Sequence, residues 1–95
     1  MKLPSPISFE WDESNREKNW HKHAVHHKKI EEVFFNRPIK FFADAKHSTV
    51  EKRYLVLGKT NDDCLLSIVF TIRSNKIRVI SAHKQSRKEK SLYEK

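Results

Sequence analysis

Residues 64–72 read CLLSIVFTI, an apolar run whose only polar members are Ser67 and Thr71. Because the run is apolar on both parities, a strand formed here has both faces covered and belongs inside a sheet. The short polar segment Ser74–Lys76 separates it from a second strand, Ile77–Ala82, and Asn61–Asp63 separates it from Tyr54–Gly58. Farther back, Ile39–Ala43 reads as a fourth strand, followed by the polar segment Asp44–Val50. Connections this short favour pairing between sequential neighbours. The expected core is an antiparallel meander with Cys64–Ile72 in a central position.

Outside these strands the pattern changes. Pro4 and Pro6 break regular structure, so residues 1–6 are expected to form a flexible tail. Ile7, Phe9 and Trp11 then alternate with Ser8 and Glu10, which predicts a half-buried strand and a sheet of four to five strands in all. Asp12 is a candidate N-cap for a polar helix from Glu13 to about His23, favoured by Glu13 and Glu17 near its positive end. Its thin apolar face, Trp20 and Ala24, places it at the edge of the domain. Ile30, Val33 and Phe34 recur at helical spacing and predict a second helix that Pro38 stops near Asn36. Ser86 and Glu89 form a capping box opening a terminal helix, with Leu92 facing inward and an end near Tyr93. The fold class is α+β: a small antiparallel sheet, two N-terminal helices and one C-terminal helix.

Ninety-five residues make a single domain, 1–95, too small for two lobes with a cleft between them, so any active surface lies on an open face. Lys and Arg total 20 against 12 Asp and Glu, and the net charge of +8 favours polyanions. Charge alone does not choose among RNA, DNA, an anionic membrane and an acidic protein. The single cysteine, Cys64, has no partner for an internal disulfide and reads as a small core hydrophobe. With no apolar stretch long enough for a signal peptide or membrane span, a cytoplasmic protein without a membrane partner is expected.

Several chemistries lack their residues. One glycine, Gly58, cannot supply a phosphate-cradling loop, and no G-x-S-x-G elbow is present. The carboxylates are scattered, with Asp62 and Asp63 adjacent in a turn, which disfavours two-metal catalysis. His21, His23, His26 and His27 are conspicuous, but no Asp or Cys lies within the cluster and the rings diverge if a helix ends between them. They read as surface histidines. Neither a metal site nor a cofactor is expected.

What remains is a basic set. Arg53 and Lys59 flank one strand, Arg73 and Lys76 flank a turn, and Arg78 sits on the last strand ahead of His83, Lys84, Arg87, Lys88 and Lys90. For most of the lysines a solvated surface is the simpler reading. Arg78 is different, since strand parity places it with Ile80 and Ala82, and a planar guanidinium suits a phosphate better than an ammonium does. By the same parity Arg53, Leu55, Leu57 and Lys59 share a face.

An ordered series of motifs now emerges: W-D at Trp11 and Asp12, N at Asn19, K-H at Lys22 and His23, E-V-F at Glu32–Phe34, D-x-x-H at Asp44–His47 and E-x-R at Glu51–Arg53. It continues with V-F-T-x-R at Val69–Arg73, R-V-I-S-A at Arg78–Ala82 and S-R-x-E-x-x-x-Y at Ser86–Tyr93. The series resembles the BrnT toxins of type II toxin–antitoxin systems and spans Phe9 to Tyr93. The resemblance implies a RelE-like fold and an endoribonuclease that inhibits translation and growth. It also implies a BrnA-like ribbon-helix-helix antitoxin, expected in a 2:2 heterotetramer, through which alone operator DNA is bound. Two positions depart from the pattern: Ala24 stands where the family commonly has Gly, and His83 where it commonly has Arg.

RNA cleavage without metal uses the ribose 2′-hydroxyl as nucleophile, so the protein must align it, move protons and stabilise phosphate charge. The candidate catalytic set is Arg53, Arg78 and Arg87 for phosphate, His83 and Tyr93 for proton transfer, and His47 in reserve. Lys59, Arg73, Lys76, Lys84 and Lys88 are candidate RNA contacts. Arg78 and His83 have opposite parity and converge only if the strand twists or breaks. Tyr93 is also readable as a packing residue with a satisfied hydroxyl. The rival reading is a non-catalytic basic module that binds RNA, DNA or an antitoxin.

Overall fold

A computed structural model describes residues 1–44 and 51–95, without the side chains of Asn19, His21, Lys22 and His23. In chain order the elements are α1 (Glu13–His23), α2 (His27–Val33), β1 (Lys40–Ala43), β2 (Tyr54–Lys59), β3 (Leu65–Arg73), β4 (Lys76–Lys84) and α3 (Arg87–Glu94). The sheet runs β1-β2-β3-β4, every pair antiparallel, so the meander expected from the apolar run and its short turns is the one observed, with β3 inside. Ser74 and Asn75 both take positive φ between β3 and β4, as a two-residue hairpin turn with the handedness of the sheet requires.

The two faces of the sheet are covered differently. Val56, Ile68, Phe70, Ile77, Val79 and Ala82 are buried with Ile30, Val33 and Phe34 of the α2 segment, and this is the core. Gly58 marks the closest approach of α2 to β2, since a Cβ there would lie 2.6 Å from Val33 Cγ1. The opposite face carries Phe42, Leu55, Val69 and Arg78, and α3 crosses only one end of it, over Leu57 and Ser67.

Three expectations from the sequence are modified. Residues 7–11 do not form a full strand: Phe9 makes an isolated parallel bridge to Ile77, with Ser8 and Glu10 bonded to the same residue's backbone. Leu3 packs against the core, and Pro4, the next residue, is buried. The second helix stops at Val33, because Phe34, Phe35 and Asn36 donate to carbonyls three residues back and tighten the chain. Trp20, expected on the apolar face of α1, is 54% exposed; α1 holds to β4 through polar bonds from Asn15 to Val79 O and from Lys18 to Ile80 O.

Local sequence explains the helix ends. Asp12 Oδ1 accepts from Asn15 N at 2.7 Å and caps α1. Ser86 and Glu89 bond each other's backbone in the expected capping box. At the end of α1, Ala24 takes φ 54°, the left-handed conformation for which glycine is suited, so the chain keeps this turn without the glycine.

Candidate functional site

Geometry on β4 decides which candidates meet. Arg78 lies opposite Thr71 and His83 opposite Ser67, with a register shift at Val69/Phe70. Thr71 and Ser67 have the same parity on β3, so the bulge in β4 turns Arg78 and His83 onto one face. The parity obstacle visible in the sequence is thereby removed.

The two residues are held in different ways. Arg78 donates to Glu10 Oε1 at 2.8 Å and to Asp12 Oδ2 at 3.1 Å, and only 21% of its side chain is exposed. It fastens the N-terminal segment to the sheet. His83 Nε2 lies 3.1 Å from Glu89 Oε1. Glu89 also accepts from Ser86 N at 2.9 Å and from the buried Ser67 hydroxyl at 2.8 Å. Partial burial pushes the Glu89 carboxyl up, but the bonds from Ser86, Ser67 and His83 outweigh it and hold the group below its ordinary range. An ionised carboxylate accepts only, so His83 Nε2 is the donor in this contact.

Cations divide along the same line. Arg73 is bonded to Glu51 at 3.1 Å, and Lys59 is paired with Asp63 at 3.6 Å. Lys40 donates to the Leu92 and Lys95 carbonyls at 3.0 and 2.7 Å, tying β1 to the end of α3. Lys84, Arg87, Lys88 and Lys90 have no acidic partner among the described residues, and all four are exposed. These four cations lie together where β4 runs into α3. Lys76 is exposed at the opposite end of β4, and Arg53 lies one residue before β2, its carbonyl accepting from Asp44 N.

Tyr93 is 7% exposed. Its hydroxyl donates to Pro38 O at 2.7 Å, and burial raises its pKa above the ordinary phenol range. This is the packing placement that its sequence context also allowed, and it turns the hydroxyl away from solvent. His47 lies outside the described residues. No three His, Cys, Asp or Glu side chains assemble as a metal site among the described residues. His26 and His27 stack on each other at 4.4 Å, and Trp11, bonded to Glu31 at 2.7 Å, packs edge-on against His27.

Glu89 is the residue that sequence reasoning missed as a site member. Its signal was present, but the capping box accounted for it completely. A carboxylate that caps a helix and also touches a strand histidine is visible only once α3 is laid across the sheet.

Comparison with known proteins agrees with this architecture. The 1.1 Å crystal structure of the Brucella abortus ribonuclease toxin BrnT superposes with a TM-score of 0.62 and 24% sequence identity, covering 85% of this chain and 99% of that one. That likeness shows the fold. No curated protein matches the sequence. The family model of the ribonuclease toxin BrnT of type II toxin–antitoxin systems matches residues 11–89, which include α1, the whole described sheet and the His83–Glu89 contact. The chain belongs to the BrnT family of type II ribonuclease toxins.

Proposed function

We propose that this protein is an endoribonuclease that cleaves RNA without a metal ion, inhibits translation and growth by doing so, and is neutralised by a BrnA-like ribbon-helix-helix antitoxin. The observation that carries the reading is the His83–Glu89 couple standing beside four unpaired cations, Lys84, Arg87, Lys88 and Lys90. Arg87 and the lysines hold the phosphate and stabilise charge as it grows on the non-bridging oxygens. Glu89 orients the imidazole and stabilises its protonated form. The 2′-oxygen bonds to phosphorus as the P–O5′ bond breaks, and the 2′-hydroxyl proton passes to His83. Solvent protonates the 5′-oxygen, leaving a 2′,3′-cyclic phosphate and a 5′-hydroxyl.

Arg78 takes part in this scheme only by exchanging Glu10 and Asp12 for a phosphate, and its first role is structural. Arg53, one residue before β2, is proposed to contact the incoming strand. The antitoxin is proposed to lie across the open face, where Phe42, 37% exposed, together with Leu55 and Val69 offers apolar area beside the basic end. A dimeric antitoxin would carry two toxins to the operator in a 2:2 complex.

End-labelled RNA incubated with the purified protein in excess EDTA tests the core of the reading. Cleavage with cyclic-phosphate ends, lost in His83→Ala, is the expected result. Recovery of activity only on adding Mg²⁺ or Zn²⁺ overturns metal independence, and a gel shift without cleavage favours the non-catalytic module.

A further inference from the structure

The basic end of the sheet continues into a groove that the cleavage scheme does not use. Between the α1–α2 junction and the β2–β3 turn lies a hollow of about 270 Å³, with Val25 and Leu66 on its floor and Trp20, His26, Lys29 and Lys84 around it. Lys84 and Cys64 also line a neighbouring hollow of about 310 Å³ that reaches Lys90 of α3. On the other side, Trp20 and His26 form the shared wall with a third hollow of about 340 Å³ whose charged lining is Glu13, Arg16 and Glu17, so the cationic part of the groove is its Lys84–Lys90 end. One track therefore runs from α3 past Lys84 to the exposed indole.

The walls are preformed. Thr60 is 2% exposed, donates to Asp62 Oδ1 at 2.6 Å and accepts from Cys64 N at 3.0 Å, which fixes the β2–β3 turn. His26 accepts from Lys28 N through Nδ1 and meets Trp20 edge-on at 6.3 Å. Asp62, the acid at the rim, is paired with Lys29 at 3.5 Å, so Lys84 contributes the unneutralised charge at the mouth. The Trp20 indole is 54% exposed and lines two hollows at once, so part of its apolar surface is open to solvent. Single-stranded nucleic acid is bound by this combination of a cationic track with aromatic faces on which bases stack.

We propose that this groove is an RNA subsite: an unpaired base stacks on Trp20 in the hollow beside Lys84, while the flanking phosphates lie along Lys84 and Lys90. The subsite rests on the ribonuclease reading and deepens it: Lys84 points to the other face of β4 from His83, and because β4 is the edge strand, an RNA held at His83 reaches the hollow by passing round that edge.

The test uses a short 2′-O-methyl RNA, which binds without being cleaved, with anisotropy and tryptophan emission as readouts. Trp20→Ala is expected to weaken binding about 5- to 100-fold, the range that losing one base–aromatic stack produces, and Trp20→Phe to restore most of it. In Trp11→Phe protein, where Trp20 is the only indole, RNA is expected to quench the emission. If wild-type protein neither binds nor cleaves RNA, the ribonuclease reading falls and the subsite with it. If RNA is bound and cleaved while Trp20→Ala changes affinity less than twofold and the emission is unmoved, the subsite alone is overturned. Quenching by antitoxin but not by RNA also overturns it and assigns the groove to protein docking.

Discussion

Arg78 and His83 stand at the two ends of one strand and, because of the bulge between them, on one face. Arg78 meets two carboxylates that lie far back in the chain, and its charge is neutralised inside the fold. His83 meets one carboxylate, from a helix that also carries Arg87, Lys88 and Lys90, which have no acidic partner among the described residues. The two ends thus differ: Arg78 closes the structure, although Lys76 beside it is exposed, whereas Lys84, Arg87, Lys88 and Lys90 at the His83 end have no acidic partner among the described residues. The difference comes from what each end packs against, since the segment before α1 brings Glu10 and Asp12 whereas α3 brings Arg87, Lys88 and Lys90 with Glu89.

The largest effect expected is on catalysis at the His83 end. His83→Ala should lower the rate of RNA cleavage by about 100-fold or more, the usual scale for losing a proton-transfer group, and Glu89→Gln should fall between the two. Thermal unfolding should move less in His83→Ala than in any Arg78 variant. A cleavage rate unchanged in His83→Ala breaks the comparison, because the unpaired end would then have no chemistry assigned to it.

Next in size is the structural effect at the other end. Arg78→Ala leaves Glu10 and Asp12 without their shared cation and should cost about 1–3 kcal/mol, between the values for exposed and for buried pairs. Denaturant unfolding measures it, and a cycle with Glu10→Gln should show coupling, because the two groups are in direct contact. Cleavage by the folded fraction should stay within about tenfold of wild type, well above the loss of a proton-transfer group. Abolished cleavage with unaltered stability would instead move Arg78 into the reacting centre.

Binding separates the ends more finely. Lys88→Ala should reduce the slope of log affinity against log salt by about 0.7, the value for one phosphate on a single strand. Arg73→Ala, which removes a cation already bonded to Glu51, should leave that slope unchanged. Equal slopes for both variants would show that pairing in the fold does not decide which cations RNA uses.

How much of this was legible in the sequence follows from the range of the interactions. The strands and helix caps were readable because parity, turn residues and Ser86–Glu89 spacing act within a few residues. The bond between Arg78 and Glu10 spans 68 residues, and no local pattern encodes it. The bulge was hidden because Ile80 and Ser81 look like any two consecutive strand residues, yet it reverses the parity on which the site argument depended. Residues 7–11 alternate like a strand, but they pair with β4 only at one residue before Asp12 turns the chain into α1. Ala24, standing where the family commonly has Gly, left it open in the sequence whether that turn is rebuilt, and the chain keeps the left-handed conformation there at φ 54°.

The smallest expected effect is the pH dependence of stability, and it tests the Glu89 end alone. The Glu89 pKa is lowered in the folded chain from its ordinary value of 4.5, because the favourable bonds from Ser86, Ser67 and His83 outweigh the cost of burial. A carboxylate whose pKa falls on folding contributes stability that is complete above its unfolded pKa and is lost as pH falls through the folded value. Unfolding of the wild type should therefore become easier below about pH 4.5, and the slope of stability against pH should be smaller in Glu89→Gln. Asp12, at the Arg78 end, is also lowered, chiefly by its bond from Asn15, but it is exposed and its share is screened by solvent. Asp12→Asn should accordingly change the acid limb less than Glu89→Gln does. The reverse order would show that the carboxylates fastening Arg78, and not the one beside His83, are the more tightly held, and the division of the strand into a structural end and a chemical end would have to be redrawn.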